Sequence, residues 1–453
     1  MSKQALHHQH IVIIGNGIAG ITCARHIRKQ DSEVKITIIS GETEHFFSRT
    51  ALMYIYMGHM KYHHTKPYED HFWEKNRLDL VHDWVTEIDV ENKSLKLKQT
   101  EPIKYDSLVL ALGSKYNKFG WEGQDLKGVQ GLYSYQDLEE MEANTQNCQR
   151  AVIVGGGLIG IEMAEMLRSR DIPVTFLVRE KEFWNNILPD EEAKLVGRHI
   201  REHHIDLRLE TELDKIIDDG TGRVKSVITK SGEEISCQFV GLGVGVSPNV
   251  ELLKNTSIEV DRGILVDEYF ATNIPDVYAI GDCIEYRTPP PNRPKVEQVW
   301  YTGRMHGETL AYNLTNKPVS YQPGPWFNSA KFLDIEYQTY GVVPCIWKHP
   351  VASFYWEHPE GKVCFRALYE GDSKKILGVN SLGFRLRHEY FDEILQRGGT
   401  VEEVLSQLHI ASFDQEFAED HHQDILNNFE SQTGTKLSPF KKKKKGILGL
   451  FGL

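Results

Sequence analysis

The sequence lacks paired cysteines, an apolar leader and any long apolar run. Its six cysteines are scattered, and no two have C-x-x-C spacing: Cys23, Cys148, Cys237, Cys283, Cys345 and Cys364. This pattern fits a reduced, cytosolic compartment better than a disulfide framework. The polar N-terminal stretch MSKQALHHQH contains no signal segment, and no run approaches the roughly 18–20 apolar residues of a membrane-spanning helix. We therefore expect a cytoplasmic protein.

The sequence also has fewer basic than acidic residues and no recognisable metal-binding motif. The chain has 52 lysines and arginines against 64 aspartates and glutamates, a net charge of −12. Nucleic acid is not expected as a partner, because phosphate binding needs a basic face. Histidine pairs occur without a cysteine or carboxylate at the usual metal spacing, and we interpret them as surface residues: His7–His8, His63–His64, His203–His204 and His421–His422. The sequence thus predicts no metal site.

A glycine-rich loop occurs twice, as IVIIGNGIAG from Ile11 to Gly20 and as AVIVGGGLIG from Ala151 to Gly160. Each copy follows a short run typical of a buried parallel strand and precedes a stretch with helical spacing. In this context G-x-G-x-x-G binds a dinucleotide, because the glycines allow a tight turn, close approach to the pyrophosphate and close helix–strand packing. The helix N-terminus adds free N–H groups and positive potential. Two such loops indicate two dinucleotides with electron transfer between them, or one working site and one vestigial site.

Three further strand-and-turn stretches narrow the choice. They are YDSLVLALGS (Tyr105–Ser114), FVGLGVGVSPN (Phe239–Asn249) and TNIPDVYAIGDC (Thr272–Cys283). Together with the glycine loops they resemble the two-dinucleotide-binding flavoproteins, the pyridine nucleotide–disulfide oxidoreductase superfamily, over about residues 10–325. The resemblance implies an α/β fold with two Rossmann-like FAD/NAD(P)-binding domains of the glutathione-reductase type and a small α+β C-terminal domain.

The resemblance also assigns site residues. The first loop is expected to bind FAD and the second the nicotinamide cofactor, with Asp282 bonded to the ribityl chain. The residues expected to bind FAD are Gly15, Gly17, Ile18, Ala19, Gly20, Glu42, Arg49, Ala111, Gly113, Gly281, Asp282, Trp300 and Trp326. Those expected to bind NAD(P) are Gly155, Gly157, Leu158, Ile159, Gly160, Arg179 and Gly243.

The stretch after the first strand–helix–strand unit indicates the branch of the superfamily. It reads ISGETEHFFSRTALMYIYMGHM and contains no cysteine, which disfavours thiol–disulfide chemistry and sulfide oxidation at the flavin. FFSRTAL resembles the Y-x-R-P-x-L element of apoptosis-inducing factor, ferredoxin and rubredoxin reductases and the FAD part of nitrite reductases. That resemblance implies that Arg49 contacts the FAD pyrophosphate. Gly41 falls near the position of the usual ribose-binding acid, so Glu42, the next residue, is the candidate.

The nicotinamide side departs from the branch at one position. The branch pairs a lysine with the glutamate of the second loop. The glutamate is present as Glu162, whereas Tyr54 stands in place of the lysine. Val178 occupies the position of the usual NAD-specific acid and Arg179 follows, which favours NADPH, whereas Gly160 as the third glycine favours NADH. The sequence leaves the preference open as NAD(P)H.

The domain organisation follows from these assignments. Residues 8–116 and 243–323 are expected to form a split FAD-binding domain, with an NAD(P)-binding domain at 117–242 inserted. Residues 324–412 are expected to form the α+β domain, and 413–453 a helical and linker segment with a tail. Five lysines and an apolar end, Lys441–Leu453, form a two-signal arrangement for peripheral membrane binding at the inner face of the membrane. A solvated tail and a docking peptide for a partner protein remain alternatives, and a homodimer is left open.

Three functional hypotheses remain. The first is an FAD-dependent NAD(P)H oxidoreductase that passes hydride to FAD and electrons to an unidentified ferredoxin- or rubredoxin-type carrier or partner subunit. Glu162 would orient the nicotinamide, and no side chain would act as a covalent catalyst. The second is a peripheral membrane NAD(P)H:quinone reductase, although VWYTGRMHG lacks the A-Q-x-x-x-Q quinone element. The third is an NAD(P)H-sensing flavoprotein without steady turnover, which the missing lysine at Tyr54 would permit.

Overall fold

The computed structural model describes residues 10–315, 317–413 and 419–437. Within these residues the chain forms two compact units. Unit 1 comprises residues 10–181 and 203–323, and unit 2 comprises residues 182–202 and 324–437. None of the described helices has the length and apolar character needed to cross a bilayer. The predicted membrane-binding tail, Lys441–Leu453, lies outside the described residues.

Most elements before residue 117 are short strands. The strands are β1 (His10–Ile14), β2 (Lys35–Ser40), β3 (Leu78–His82), β4 (Val85–Asp89), β5 (Ser94–Leu97), β6 (Ile103–Lys104), β7 (Ser107–Leu110) and β8 (Ser114–Tyr116). The helices are α1 (Ile18–Gln30), α2 (Leu52–Tyr56) and α3 (Phe72–Lys75).

The next segment repeats the alternation of strands and helices. Its strands are β9 (Val129–Gln130), β10 (Ala151–Val154), β11 (Val174–Leu177), β12 (Asp206–Arg208), β13 (Leu213–Asp218), β14 (Val224–Thr229), β15 (Glu234–Ser236) and β16 (Phe239–Leu242). Its helices are α4 (Tyr135–Thr145), α5 (Leu158–Arg168) and α6 (Asp190–Glu202). Unit 1 ends with β17 (Val246–Pro248), β18 (Ile264–Val266), β19 (Val277–Ala279), β20 (Ile284–Tyr286) and α7 (Trp300–Leu314).

Unit 1 contains two parallel five-stranded sheets. The first has the strand order β19-β7-β1-β2-β3 and the second the order β12-β11-β10-β16-β9. The strands β7, β10, β11 and β16 are fully buried and mostly apolar, as expected where helices cover both faces. The structure confirms the predicted α/β fold. The same unit also contains a β-meander, the antiparallel sheet β13-β14-β15.

Both parallel sheets reverse their strand order beside the strand that carries a glycine loop. β1 lies between β2 and β7, and β10 lies between β11 and β16. In open parallel sheets, ligands bind in the crevice outside the carboxyl ends of the strands at such a reversal. The two glycine loops, which follow β1 and β10, therefore begin at the positions where this architecture binds nucleotides.

Unit 2 is built on one antiparallel sheet. Its strands are β21 (Phe327–Phe332), β22 (Ile335–Gly341), β23 (Val351–Glu357), β24 (Cys364–Glu370) and β25 (Ile376–Leu382), in the order β21-β22-β25-β24-β23. Its remaining helices are α8 (His388–Gln396), α9 (Val401–Ser406), α10 (Leu408–Ala411) and α11 (His422–Thr433). Unit 2 thus combines an antiparallel sheet with helices.

Helix α6 belongs to unit 2, although it follows β11 in the chain. Arg366 on β24 is only 2% exposed and donates from Nε to Glu192 on α6 at 2.7 Å. It also donates to Glu191 at 2.7 Å. A buried guanidinium requires such partners, since leaving a charge buried and unpaired costs several kcal/mol. This ion pair therefore fixes α6 to the sheet.

The interpretation of His421–His422 as surface residues is wrong. These side chains are 7% and 8% exposed. The physical reason is the docking of α11, whose Phe429 packs edge-on against Phe354 on β23 at 5.1 Å. His422 also bonds through Nε2 to the carbonyl of Leu405 at 2.9 Å. His63 and His64 are exposed as predicted, and His7–His8 lie outside the described residues.

Candidate functional site

The first glycine loop packs against the end of β7. Gly15 has φ +111°, and a Cβ there would lie 2.1 Å from the carbonyl oxygen of Ala111. A Cβ at Gly20 would lie 2.1 Å from the carbonyl oxygen of Gly15. Neither position can carry a side chain. A Cβ at Gly17 would meet nothing within 4 Å, so this glycine leaves open space at the N-terminus of α1, where a pyrophosphate is expected.

The loop that carries Asp282 packs against the first turn of α1. Gly281 has φ +80°, and a Cβ there would lie 3.0 Å from the Cβ of Ala19. Helix α7 packs along α1, and a Cβ at Gly307 on α7 would lie 2.5 Å from the carbonyl oxygen of Ala19. The predicted Ile18 and Ala19 thus form the first turn of α1 beside the Gly281–Asp282 turn.

A buried histidine, His306, is hydrogen-bonded to the Gly281–Asp282 turn. The backbone N–H of Gly281 donates to Nδ1 of His306 at 3.1 Å, and Nε2 of His306 lies 2.6 Å from the hydroxyl of Tyr286. His306 is fully buried, and this burial lowers its pKa to about 3. The imidazole is therefore neutral, with Nδ1 as the acceptor and Nε2 as the donor. Sequence reasoning missed His306.

Asp282 is held by groups that the sequence did not single out. The hydroxyl of Tyr133 donates to Oδ2 of Asp282 at 3.2 Å, and Ser114 Oγ donates to the same oxygen at 3.4 Å. The backbone N–H of Ser114 donates to the Tyr133 hydroxyl at 2.9 Å, and Gln298 donates to Ser114 Oγ at 2.5 Å. Burial raises the pKa of Asp282, and these hydrogen bonds oppose that shift. A Cβ at Gly113 would lie 2.8 Å from the Tyr133 hydroxyl.

The start of α4 determines the position of Tyr133. Ser134 caps this helix, its hydroxyl accepting from the N–H of Asp137 at 3.1 Å. The carboxylate of Asp137 accepts from the N–H groups of Ser134 and Tyr133 at 2.7 and 2.9 Å. This is a capping box, which the sequence SYQD contains in its acidic form. The capping box is the one sequence signal that could have located Tyr133.

Arg49 and Glu42 form a two-pronged ion pair. The two guanidinium nitrogens donate to the two carboxylate oxygens at 2.7 and 2.6 Å. Arg49 also donates to the carbonyl of Tyr133 at 2.6 Å and lies 4.6 Å from the centre of its ring. Burial acts to lower the pKa of Arg49, but the Glu42 carboxylate raises it above its ordinary value. The structure therefore brings together the residues predicted for the pyrophosphate and for the ribose.

Gly41 is explained by Trp84. A Cβ at Gly41 would lie 2.1 Å from the indole ring of Trp84, so a side chain at this position, acidic or otherwise, would have to displace that ring. Glu42, the next residue, faces a cleft of about 410 Å3. The cleft is lined by Glu42, Thr43, Glu44, His45, Tyr62, Lys66, Asp70, His82, Tyr135, Gln136 and Glu139. The carboxylate of Glu42 also accepts from the N–H of Tyr135 at 2.8 Å.

The second glycine loop repeats the geometry of the first. Gly155 has φ +103°, and a Cβ there would lie 2.6 Å from the carbonyl oxygen of Gly243. A Cβ at Gly160 would lie 2.5 Å from the carbonyl oxygen of Gly155. The nearest atom to a Cβ at Gly157 is 3.5 Å away. Leu158 and Ile159 form the first turn of α5, so the predicted residues surround one helix N-terminus.

The residues after β11 present a cation at the surface. Val178 is fully buried. The side chain of Arg179 is 74% exposed and donates to Glu180 at 2.7 Å. An exposed ion pair of this kind contributes at most about 1 kcal/mol to stability. Arg179 can therefore leave Glu180 for a stronger anion at little cost.

The predicted residues around the nicotinamide side lie on two helices of unit 1. Tyr54 lies on α2 and stacks on His59 with ring centres 6.2 Å apart. Glu162 lies half-buried on α5, which packs against α2.

The two tryptophans predicted to bind FAD lie on other elements. Trp300 is the first residue of α7 and half-buried. Trp326 belongs to unit 2, where its carbonyl accepts from the N–H of Gly341 at 2.7 Å.

The first site has the features that FAD requires. It combines a helix N-terminus facing open space at Gly17 with the guanidinium of Arg49 and the carboxylates of Glu42 and Asp282. N–H groups and a cation suit a pyrophosphate, and carboxylates suit sugar hydroxyls. The second site offers the same helix N-terminus with a cation, Arg179, at its rim. Both arrangements fit a dinucleotide.

Comparison with known proteins agrees with this geometry. The sequence pattern of the pyridine nucleotide-disulphide oxidoreductase family matches residues 9–307. Rhodocoxin reductase of Rhodococcus erythropolis is 30% identical over 331 residues, which cover 71% of this chain and 76% of that protein. The biphenyl dioxygenase system ferredoxin–NAD(+) reductase component of Paraburkholderia xenovorans is 28% identical over 310 residues, covering 68% of this chain and 75% of that protein.

A solved structure extends the likeness of the fold. The NAD-dependent persulfide reductase from A. fulgidus superposes with a TM-score of 0.81 over 96% of this chain and 86% of its own, at 24% identity. At that identity the likeness concerns the fold alone. The family match covers well over half of the chain and includes both glycine loops and the Gly281–Asp282 turn. The chain therefore belongs to the pyridine nucleotide-disulphide oxidoreductase family and is an FAD-dependent NAD(P)H oxidoreductase.

Proposed function

We propose that this enzyme oxidises NADPH at the second glycine loop and passes electrons from FAD to a one-electron carrier protein of the ferredoxin or rubredoxin type. The observation that supports this most strongly is the pair of glycine loops, each at the reversal of strand order in its own parallel sheet. Bound FAD supplies the redox chemistry, since a flavin accepts a hydride and can release electrons singly. The protein positions the cofactors and sets the charge around them.

The FAD site is proposed to lie in residues 8–116 and 243–323. The N-terminus of α1 at Gly17 and the guanidinium of Arg49 would bind the pyrophosphate, because free N–H groups and a fixed cation both stabilise negative charge. Glu42 would accept from the ribose hydroxyls. Its carboxylate has capacity for a hydroxyl beside the donors Arg49 and Tyr135. Asp282 would accept from the ribityl chain while Tyr133 holds it in place.

NADPH is proposed as the preferred donor, bound by residues 117–242. Val178 places no carboxylate against a 2′-phosphate, and Arg179 is an exposed cation at the next position. An acid after the second strand selects the 2′-hydroxyl of NADH, whereas an arginine accommodates the 2′-phosphate of NADPH. The half-buried Glu162 on α5 is proposed to orient the nicotinamide.

No cysteine is proposed to take part in the reaction. All six cysteines are unpaired. Cys283 is next to Asp282, but it is fully buried, and burial raises its pKa to about 12. Burial also raises the pKa of Cys237 to about 12. A thiol attacks as its thiolate, so neither residue is suited to disulfide exchange at neutral pH.

The acceptor is proposed from the relatives. One relative is named a ferredoxin–NAD(+) reductase component and another a rhodocoxin reductase. A carrier protein takes electrons without needing a thiol relay, which agrees with the absence of cysteine between Ile39 and Met60.

The test is an acceptor screen with the purified flavoprotein and NADPH. A ferredoxin, a rubredoxin and a short-chain quinone in liposomes would be compared at equal concentration, with oxygen consumption as the background. We expect kcat/KM for a carrier protein to exceed that for the quinone by at least about tenfold, a difference of about 1.4 kcal/mol in transition-state stabilisation. Faster reduction of the quinone, or of oxygen alone, would overturn the proposed acceptor class.

A further inference from the structure

Unit 2 contains a cluster of metal-ligating side chains that is separate in sequence from both glycine loops. His358, Glu419 and His421 each offer one ligand atom, and these atoms lie within 4.8 Å of one another. Two imidazoles and a carboxylate form a common ligand set for zinc. His421 lies 63 positions after His358, which is why a search by sequence spacing does not detect the cluster.

The scaffold around the two histidines is well defined. His358 directly follows β23 in the turn before β24, where its N–H donates to the carbonyl of Val363 at 2.9 Å and its carbonyl accepts from Gly361 at 2.8 Å. His421 directly precedes α11, whose N-terminal turn is anchored when Ile425 donates to the His421 carbonyl at 3.0 Å. The imidazole rings of His358 and His421 have centres 5.1 Å apart. The hairpin and the helix start therefore hold the two ligands in fixed positions.

The surroundings of His421 favour a cation. Its ring packs against Trp356 at 5.4 Å and Phe384 at 6.1 Å, which shields one side from water. Besides Glu419, the carboxylates of Asp420 and Asp424 also lie close enough to act electrostatically on its ring. These carboxylates add negative potential near the imidazole, which attracts a metal cation.

We propose that His358, Glu419 and His421 bind a zinc-type divalent cation, with water as the fourth ligand. Tetrahedral ligands at zinc bond lengths lie about 3.3 Å apart, so any pair of ligand atoms farther apart than this, within the 4.8 Å limit, closes up when the ion binds. The exposed side chain of Glu419 can supply this movement. The weak contact at 3.3 Å from the N–H of Glu360 to Nδ1 of His358 would be given up if Nε2 becomes the ligand.

The consequence of such a site would be structural. The ion would join the turn between β23 and β24 to the start of α11, which otherwise docks through apolar contacts such as that of Phe429 with Phe354. Because a metal that binds only the folded state adds its binding free energy to stability, zinc should stabilise unit 2. The site does not depend on the proposed electron acceptor.

The test uses the full-length holoenzyme, freed of metal by EDTA and dialysis and then titrated with Zn2+ against a chromogenic chelator. Glu419→Gln and His358→Gln each remove one ligand at the surface of the cluster, so both variants should fold. His63→Gln removes an exposed histidine in unit 1 and is the control. Thermal unfolding with and without Zn2+ gives a second readout, and flavin content checks that each variant is intact.

We expect one tightly bound Zn2+ per chain in the wild type and in His63→Gln. We expect an affinity lower by at least about tenfold in Glu419→Gln and His358→Gln, and a Zn2+-induced rise in Tm that is lost in both variants. Equal affinity in all four proteins would overturn the proposal, as would an unchanged Tm in the wild type. Either result would show that zinc binds only adventitiously, and neither would bear on FAD or NADPH.

Discussion

Arg49 and Glu42 form a two-pronged ion pair at the proposed FAD site, with both guanidinium–carboxylate hydrogen bonds between 2.6 and 2.7 Å. They are seven positions apart in the chain. Glu42 follows Gly41 just after β2, where a side chain on Gly41 would clash with the ring of Trp84. Arg49 in turn reaches the carbonyl of Tyr133. The pair therefore connects the end of β2 to Tyr133, whose hydroxyl donates to Asp282.

Weakening this pair should weaken FAD binding. Arg49→Lys keeps the charge but loses the two-pronged geometry, and Glu42→Gln removes the carboxylate that is proposed to bind the ribose. We expect each variant to raise the Kd for FAD by about 10-fold or more, corresponding to at least 1.4 kcal/mol. Flavin fluorescence measures this directly on reconstitution of the apoprotein. Because the residues are in contact, the effect of the double variant should differ from the sum of the single effects; simple additivity would contradict the account.

Removing the hydroxyl of Tyr133 should also weaken FAD binding. Tyr133→Phe leaves the half-buried carboxylate of Asp282 with one donor fewer and removes the acceptor of the Ser114 N–H. Losing partly buried hydrogen bonds of this kind costs about 1–3 kcal/mol. We expect a matching rise in the Kd for FAD, measured by the same fluorescence titration.

The control for this variant is Tyr269→Phe, a change at a side chain that is 38% exposed in the same unit. It should leave the Kd for FAD unchanged. If Tyr133→Phe binds FAD as tightly as this control, Tyr133 does not position Asp282 for the cofactor.

Acid should destabilise unit 1 through His306. Its pKa is lowered to about 3 by burial, against about 6.5 in the unfolded chain. The folded state therefore binds fewer protons, so this contribution to stability is complete above pH 6.5 and is lost as pH falls from 6.5 towards 3, at up to about 1.4 kcal/mol per pH unit. Urea unfolding of the wild type and His306→Gln at several pH values checks this. The stability difference between them should narrow below pH 6.5; a constant difference would contradict the assignment of a neutral imidazole.

Arg179 should determine the preference for NADPH. Because its only described ion pair is the exposed one with Glu180, Arg179→Ala should leave the Tm unchanged within a few degrees. We expect kcat/KM for NADPH to fall by about tenfold or more, and kcat/KM for NADH to change little, because only NADPH carries the 2′-phosphate. Steady-state kinetics at constant ionic strength with both donors decide the point. Equal losses with both donors would mean that Arg179 does not select the cofactor.

The sequence predicts those parts of the site that are local along the chain. Gly15, Gly20, Gly155 and Gly160 are recognisable because each lies between a strand and a helix, and the structure shows why no Cβ fits there. Tyr133, Ser114 and His306 were missed because their roles depend on contacts across many residues of chain, such as the 149 positions between Tyr133 and Asp282. Hydrogen bonds of this kind follow from the packing of separate elements, which periodicity and motif spacing do not encode.

Two other features needed the folded chain. In the sequence, Gly41 stands where an acid is usual, and the glycine has no evident reason. The structure gives one, because the Trp84 ring packs against Gly41. Chain order alone would place α6 with the second parallel sheet, because α6 follows β11. In the structure α6 belongs to unit 2, where its Glu192 pairs with the buried Arg366. In both cases a residue distant in sequence determines the outcome.

The most direct test of the central claim is an anaerobic titration of the purified flavoprotein with NADPH and, separately, with NADH, followed by the visible flavin absorbance. The account predicts rapid bleaching by NADPH at one equivalent per FAD and slower or weaker bleaching by NADH. If FAD is bound and neither donor bleaches it, a nicotinamide cofactor at the second glycine loop does not transfer hydride to the flavin, and the proposed function is wrong.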